Sequence, residues 1–275
     1  MSKIDKTVRR DFQLTVWEYY HEHGRSDLPW RQPEHDGSFS AYKIMVSELM
    51  LQQTQVSRVI LKYEAFLKQF PDVRALAAAE QGEVLRAWSG LGYNRRAQFL
   101  HQAAKQIVNG HNGQFPTDEA GLVSLAGVGN ATANAILAYA YNQSVSFIET
   151  NIRTVYIHHF FHDRTGISDK ILESLIEQTV DHEHPREWYW ALMDYGTYLK
   201  RTVGNLNMLS ISYSKQSRFE GSPRQIRGQV IRLLSDKPHH LSGLRQEIND
   251  KRLEAIVADL VREGLIQKHG NRLSL

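Results

Sequence analysis

Along the first 200 residues, apolar side chains return every third or fourth position. The pattern runs through Tyr42–Phe66, Glu83–Asn109, Thr132–Ala140, Ile152–Phe160, Ile171–Val180 and Trp188–Leu199. That repeat belongs to helices with one face turned inward. The every-second-residue alternation of strands is nearly absent there, so the pattern predicts an all-α body. The punctuation agrees: Pro71 follows one helix, Gly110 and Gly113 another, and Pro116 precedes the next.

After Leu199 the texture changes. From Lys200 to Gly228 the basic residues are Lys200, Arg201, Lys215, Arg218, Arg224 and Arg227, against the single acid Glu220, among many Ser and Asn. Such a stretch reads as an irregular connector. Beyond it, Gln225–Leu234, Leu241–Ile248 and Lys251–Leu265 read as three helices, and Leu265–Leu275 as a hairpin turning at Gly270-Asn271. Three helices and a hairpin make the winged-helix order. The expected division is a helical body over 1–199, a basic connector over 200–222 and a winged-helix-like α+β unit over 223–275.

Composition narrows the chemistry. The 275 residues are 41% hydrophobic and 23% charged, an ordinary globular balance. The chain has no cysteine, which excludes disulfides, thiol catalysis and cysteine-held zinc or iron–sulfur clusters. No run approaches the roughly 18 apolar residues that would span a bilayer, and the N-terminus lacks the apolar core of a signal peptide. The expectation is a soluble, cytoplasmic protein with no membrane partner. Net charge is only +3, but ten basic residues against six acidic ones in 223–275 put +4 there and leave −1 for the rest. Such a patch suits a phosphate backbone, or is a solvated face on a packing domain.

Three local patterns carry candidate chemistry. In Leu125–Ala133 a turn built on Gly127 and Gly129 opens onto an alanine-rich helix and follows another helix near Ala120–Leu125. Glycines allow close backbone approach, and unpaired first-turn amides attract an anion such as a DNA phosphate; a plain helix–helix turn has the same residues. In Ser47–Val56 the acid Glu48 sits among Met45, Leu49 and Met50, followed by Gln52, Gln53 and Thr54. A desolvated carboxylate there would serve as a general acid near neutral pH; an exposed helical glutamate is the alternative. In Ser146–Val155, Glu149 and Asn151 stand at the mouth of an apolar helix, where capping also explains them.

Taken together and in order, these pieces carry a resemblance. With Asp27–Arg31, Trp88–Tyr93 followed by Arg95 and Arg96, and Met193–Gly196, the chain from about Thr7 to Leu199 resembles the MutY-type adenine DNA glycosylases of the helix-hairpin-helix superfamily. The resemblance implies that superfamily's fold of two helical lobes. It also implies a monofunctional enzyme of base excision repair, which flips a mispaired adenine out of the duplex, opposite guanine or 8-oxoguanine, and hydrolyses its glycosidic bond. By this likeness Glu48 protonates the departing base and helps activate water. Glu149, where the family has aspartate, steadies the cationic sugar, and Asn151 orders the site. Gln53 and Tyr93 match residues that wedge into the base stack, with Gln52 beside them. Thr54 lies where the opposing purine is contacted, Trp30 and Arg31 where the adenine pocket is lined, and Gly127 and Gly129 at the phosphate-holding hairpin.

The departures from the family are as informative. Ala131 stands where bifunctional relatives carry a Schiff-base lysine, which implies no efficient lyase activity. Thr150 replaces a glycine, and Lys200 falls where the first of four cluster-binding cysteines would be. The family's 8-oxoguanine-recognition domain is replaced by the winged-helix-like unit, and Lys215 and Arg218 are candidates for the cluster loop's phosphate contacts. The expected partner is double-stranded DNA with a mismatched or damaged base. The expected state is a monomer, nucleoid-associated in a bacterium, without cofactor or metal; His158, His159, His162, His182 and His184 are read as surface or packing residues. Two other functions stay open: a glycosylase for uracil, thymine or hypoxanthine in mismatches, and a non-catalytic DNA-binding lesion sensor.

Overall fold

The computed structural model describes residues 3–161 and 164–275. Its helices are α1 (Lys6–His23), α2 (Ala41–Leu51), α3 (Val56–Gln69), α4 (Val73–Ala78), α5 (Gln81–Trp88), α6 (Arg95–His111), α7 (Glu119–Val123), α8 (Asn130–Tyr141), α9 (Thr150–Phe160), α10 (Asp169–Thr179) and α11 (Pro185–Thr202). The C-terminal part adds α12 (Pro223–Asp236), β1 (His239–His240), α13 (Leu241–Glu247), α14 (Leu253–Arg262), β2 (Gln267–His269) and β3 (Arg272–Ser274). The fold is mainly helical, with one small antiparallel sheet in the order β1-β3-β2.

The long helical stretches in the sequence differ from the observed helices in an instructive way. Tyr42–Phe66 is two helices, broken at Gln52–Gln55, and Glu83–Asn109 is two more, broken at Ser89–Asn94. Both breaks hold residues in the left-handed region: Gln53 at φ 54° in the first, and Gly90, Gly92 and Tyr93 (φ 46°) in the second. The apolar spacing continues across these turns, so periodicity alone could not see them. Gly110 does not end its helix; it lies in the last turn of α6, and Asn112 takes the left-handed cap at φ 52°. The helix before the glycine turn is Glu119–Val123 rather than Ala120–Leu125, started by Asp118, whose carboxylate accepts from the Gly121 amide at 2.9 Å. β1 is two histidines and carries no alternation that would mark a strand in the sequence; it pairs with β3 through His239–Leu273 and His240–Arg272.

The chain forms two compact units, and neither is continuous in sequence. The first holds the residues up to Ile44, Pro116–Ser124 and Val128–Lys215. Its core is aromatic: Phe12 lies 5.1 Å from Tyr156 and 5.9 Å from Trp188, ring centre to ring centre, and both partners are fully buried. Here α11 packs along α9 closely enough that a Cβ on Gly196 would stand 2.3 Å from the Asn151 carbonyl oxygen. No side chain larger than hydrogen fits that crossing.

The second unit holds Met45–Phe115, Leu125–Gly127 and Gln216–Leu275. Phe66 and Trp88 meet edge to face at 6.0 Å in its helical core, with Leu76, Leu85, Leu100 and Ile107 fully buried around them. Ile226, Val230, Leu244, Leu253, Leu260 and Leu273 form a further cluster of buried apolar side chains under the small sheet. This C-terminal part packs within the same unit: Gln98 Nε2 donates to the Glu263 carbonyl at 2.9 Å and the Gln81 amide to that of Gly264.

Candidate active site

Glu48 lies on α2, half-buried, with Met45, Ser47, Leu49 and Met50 all buried around it. A helix leaves its last four carbonyls unpaired, and one buried side chain serves the end of α2. Arg96 donates from Nη1 to the carbonyls of Leu49 (2.6 Å), Met50 (3.0 Å) and Gln52 (2.6 Å). Its Nη2 reaches Thr54 Oγ1 (3.1 Å) and the carbonyls of Leu91 (3.2 Å) and Gly92 (3.1 Å). Burial lowers this guanidinium to a pKa of about 10, still a cation at neutral pH. Arg96 therefore locks the helix that carries Glu48 to the two turns that carry Gln53 and Tyr93. Nothing in the local sequence around Arg96 signals this role, because its partners lie on α2 and on two separate turns.

Gln53 and Tyr93 stand exposed at the tips of those turns. Arg96 also lies 5.5 Å from the centre of the Tyr93 ring and 5.4 Å from that of Trp88, both within cation–π range. Thr54 is held between the turns, its hydroxyl 3.4 Å from the Leu91 carbonyl. Gln52 and Gln53 line a pocket described further below.

The glycine turn forms as its residues require. Gly127 has φ 76°, and a Cβ there would meet the Cβ of Phe99 at 2.5 Å, so both conformation and space demand glycine. Gly129 is the N-cap of α8. Gln106 Oε1 accepts from the Ala126 amide at 2.7 Å, and Gly129 and Asn130 are exposed. The first amides of α8 thus begin at an accessible turn, suited to an anion. Ala131 lies in that first turn.

In the first unit, Glu149 is the N-cap of α9, half-buried. Burial raises its carboxyl above the ordinary range, against the opposing pull of the Thr150 amide, Arg153 and Lys200. Lys200 Nζ donates to Thr150 Oγ1 at 2.9 Å, and its own burial brings the amine down to about 8. Asn151 Nδ2 points to the Met193 sulfur at 3.9 Å.

Arg31 and Trp30 are both buried. The Arg31 fork is committed to Asp194 at 2.8 and 2.9 Å, and Arg25 adds contacts of 2.9 and 2.6 Å to the same carboxylate. Burial opposes that charge, but Arg31 and then Arg25 outweigh it and hold Asp194 below the usual carboxylate range. The Asp194–Gly196 motif therefore supplies an ion-pair anchor and a close helix crossing. Sequence alone marked the motif without showing either use.

The segment after α11 has no ligands for an iron–sulfur cluster. Such clusters need thiolates, and the chain has no cysteine. Instead, buried Asn207 donates to Thr154 Oγ1 at 2.9 Å and to the Thr150 carbonyl at 3.2 Å, alongside the Lys200 contact. Amide and ammonium groups tie this segment to α9, and the donor set does not fit a cluster. Among the described residues no group of three or more His, Cys, Asp or Glu is placed to hold a metal ion. His159 Nε2 meets the Tyr195 hydroxyl at 3.1 Å and His182 Nδ1 the Ser144 hydroxyl at 2.6 Å; His162 lies outside the described residues. Lys215 and Arg218 are exposed, Arg218 beside Glu220 at 3.6 Å. Among the described residues no helix is long and apolar enough to cross a membrane.

Comparison with known proteins gives this geometry a family. The HhH-GPD superfamily base excision DNA repair protein family matches residues 46–181. The adenine DNA glycosylase of Mycolicibacterium smegmatis is 31% identical over 281 residues, covering 93% of this chain and 92% of its own length. That of Buchnera aphidicola subsp. Baizongia pistaciae is 35% identical over 192 residues, or 68% of this chain, which spans only 52% of that relative's length. Among solved structures, a thermostable thymine-DNA glycosylase superposes with a TM-score of 0.60 at 22% identity, over 69% of this chain and 86% of its own. A trapped endonuclease III–DNA covalent intermediate superposes at 0.54 and 15% identity, over 80% and 94%; at such identities the likeness is one of fold. The chain belongs to the adenine DNA glycosylases of the HhH-GPD superfamily of base excision DNA repair proteins.

Proposed function

We propose that this chain removes adenine from mispairs in double-stranded DNA by hydrolysis, acting as a monomer, without a cofactor and without cutting the strand. Glu48 gives its proton to N7 of the flipped base. The C1′–N9 bond then breaks, its electron pair leaving with the purine. The Glu149 carboxylate balances the positive charge left on the sugar, and water adds to C1′ as its proton returns to Glu48. The observation that carries this reading is Glu48 on an apolar helix whose end is locked by Arg96 to the turns bearing Gln53 and Tyr93. A protein that only bound DNA would need no carboxyl group there. The glycine turn before α8 holds a backbone phosphate, and Ala131 offers no amine for a Schiff base.

Single-turnover base release tests the reading on duplexes with adenine opposite guanine or 8-oxoguanine, and with uracil, thymine or hypoxanthine in mismatches. Alkali-revealed release of adenine is expected, lost in Glu48→Gln, with no adduct trapped by borohydride. Release of another base alone, or adenine release that survives Glu48→Gln, would refute it.

A further inference from the structure

Two non-glycine residues of the second unit hold left-handed backbone, Gln53 and Tyr93, besides the helix cap Asn112. Strain of this kind persists only where surrounding structure enforces it. Besides Arg96, which holds the two turns, their side chains meet residues just before and at the start of α12, far away in sequence. Gln216 Nε2 donates to Gln53 Oε1 at 2.6 Å and also to the Tyr93 hydroxyl. Arg224 Nη1 donates to the same hydroxyl at 2.6 Å, with its guanidinium 5.8 Å from the ring centre, and is itself held by Ser217.

These groups open onto a pocket of about 760 Å³, within the range that accepts a molecule of nucleotide size. Its wall carries the side chains of Gln52, Gln53 and Gln216, each able to offer a donor and an acceptor. Arg58 and Arg232 stand exposed at its edge, and Phe219 is 58% exposed beside them. Its apolar floor includes Ile231, Leu260 and Leu265, all buried. Amides that read a base edge, an arginine donor, exposed aromatic rings and exposed cations for phosphate together make a nucleotide's complement.

We infer that this pocket holds the base opposite the excised adenine, unstacked from the duplex, and that Arg224 and Gln216 are specificity-determining residues that read it. The inference rests on the adenine-release reading. Arg224 Nη1 and Gln216 Nε2 converge as two donors on the Tyr93 hydroxyl, and adjacent acceptors such as O6 and N7 of a guanine-type purine match that pair. On binding, that edge takes over the hydrogen bonds that Arg224 and Gln216 now make with Tyr93, and the freed tyrosine enters the stack.

Adenine release is measured opposite guanine, 8-oxoguanine, cytosine and thymine for the wild type, Arg224→Lys, Arg224→Ala and Gln216→Ala, each with an unchanged melting temperature. The wild type is expected to prefer the purines, and the Arg224 variants to lose about ten-fold of that preference, read as the ratio of release opposite guanine to release opposite cytosine. Equal acceleration on every duplex would make the contact a cover rather than a reader, and unchanged preference would show no reading; either overturns the inference and leaves adenine release standing. If the wild type releases nothing, binding of the same duplexes by Glu48→Gln decides. Equal loss of affinity for all four on adding Arg224→Lys, or competition by free dGMP as strong as by duplex, overturns the inference as well.

Discussion

At the scale of single residues, the group that most alters the chemistry is Lys200. It donates to Thr150, the neighbour of Glu149. Burial raises Glu149, and Lys200 and Arg153 pull it back. The proposed reaction needs Glu149 ionised, so release should fall on the acid side as this carboxyl takes up a proton. Lys200→Met removes one of the opposing cations and should shift that acid limb to higher pH, with the rate restored at more alkaline pH; a profile unmoved along the pH axis would deny the coupling. The amine's own titration has the opposite sense. Its folded pKa of about 8 lies below its ordinary 10.5, so the cost of burying the ammonium is fully present below about pH 8. That cost is relieved between about 8 and 10.5 as the folded state sheds the proton first. Melting temperature against pH should therefore show a smaller alkaline decline in the wild type than in Lys200→Met.

At the scale of elements, the crossing of α9 and α11 decides whether Glu149 is presented at all. A methyl group on Gly196 would meet three backbone atoms of Asn151 within 2.9 Å, none able to swing aside as a side chain would. Overpacking of this kind costs about 1–3 kcal/mol or more, so Gly196→Ala should lower the melting temperature by several degrees and move the N-terminus of α9 enough to cut adenine release. Gly110→Ala is the control. It lies inside α6 with open space about it, and alanine there should stabilise by about 0.5–1 kcal/mol. Both glycines look alike in the sequence, where Gly110 read as a stop and Gly196 as part of a motif. Helices such as α8 and α9 were legible because their apolar spacing is local. The break at Gln53 was not, since its left-handed backbone is enforced by contacts, and the role of Arg96 was not, since a buried arginine contradicts its own composition. The meeting of Gln216 with Gln53, 163 positions away, leaves no trace in any local pattern.

At the scale of the whole molecule, charge is the property that sequence describes best and structure refines. The chain is nearly balanced except for its C-terminal end, so non-specific attraction to DNA must come from a few sites rather than from a general field. Lys215 and Arg218 are fitted for this. Both are exposed, and the pairing of Arg218 with Glu220 at 3.6 Å leaves those side chains 87% and 77% exposed. An exposed pair is worth at most about 1 kcal/mol, so a phosphate can displace the carboxylate at little cost. Arg227 is different: it is half-buried and paired with Glu263, and serves the packing of the C-terminal part. Each phosphate neutralised on duplex DNA adds about 0.9 to the slope of log affinity against log salt. Binding of Glu48→Gln to an adenine-containing duplex, titrated at several salt concentrations, should lose roughly 2 units of that slope when Lys215 and Arg218 are both changed to Gln. Arg227→Gln should leave the slope alone while lowering the melting temperature. An unchanged slope in the double variant would remove this segment from the DNA-binding surface. The phosphate contacts would then fall to the glycine turn and to the exposed Arg58 and Arg232.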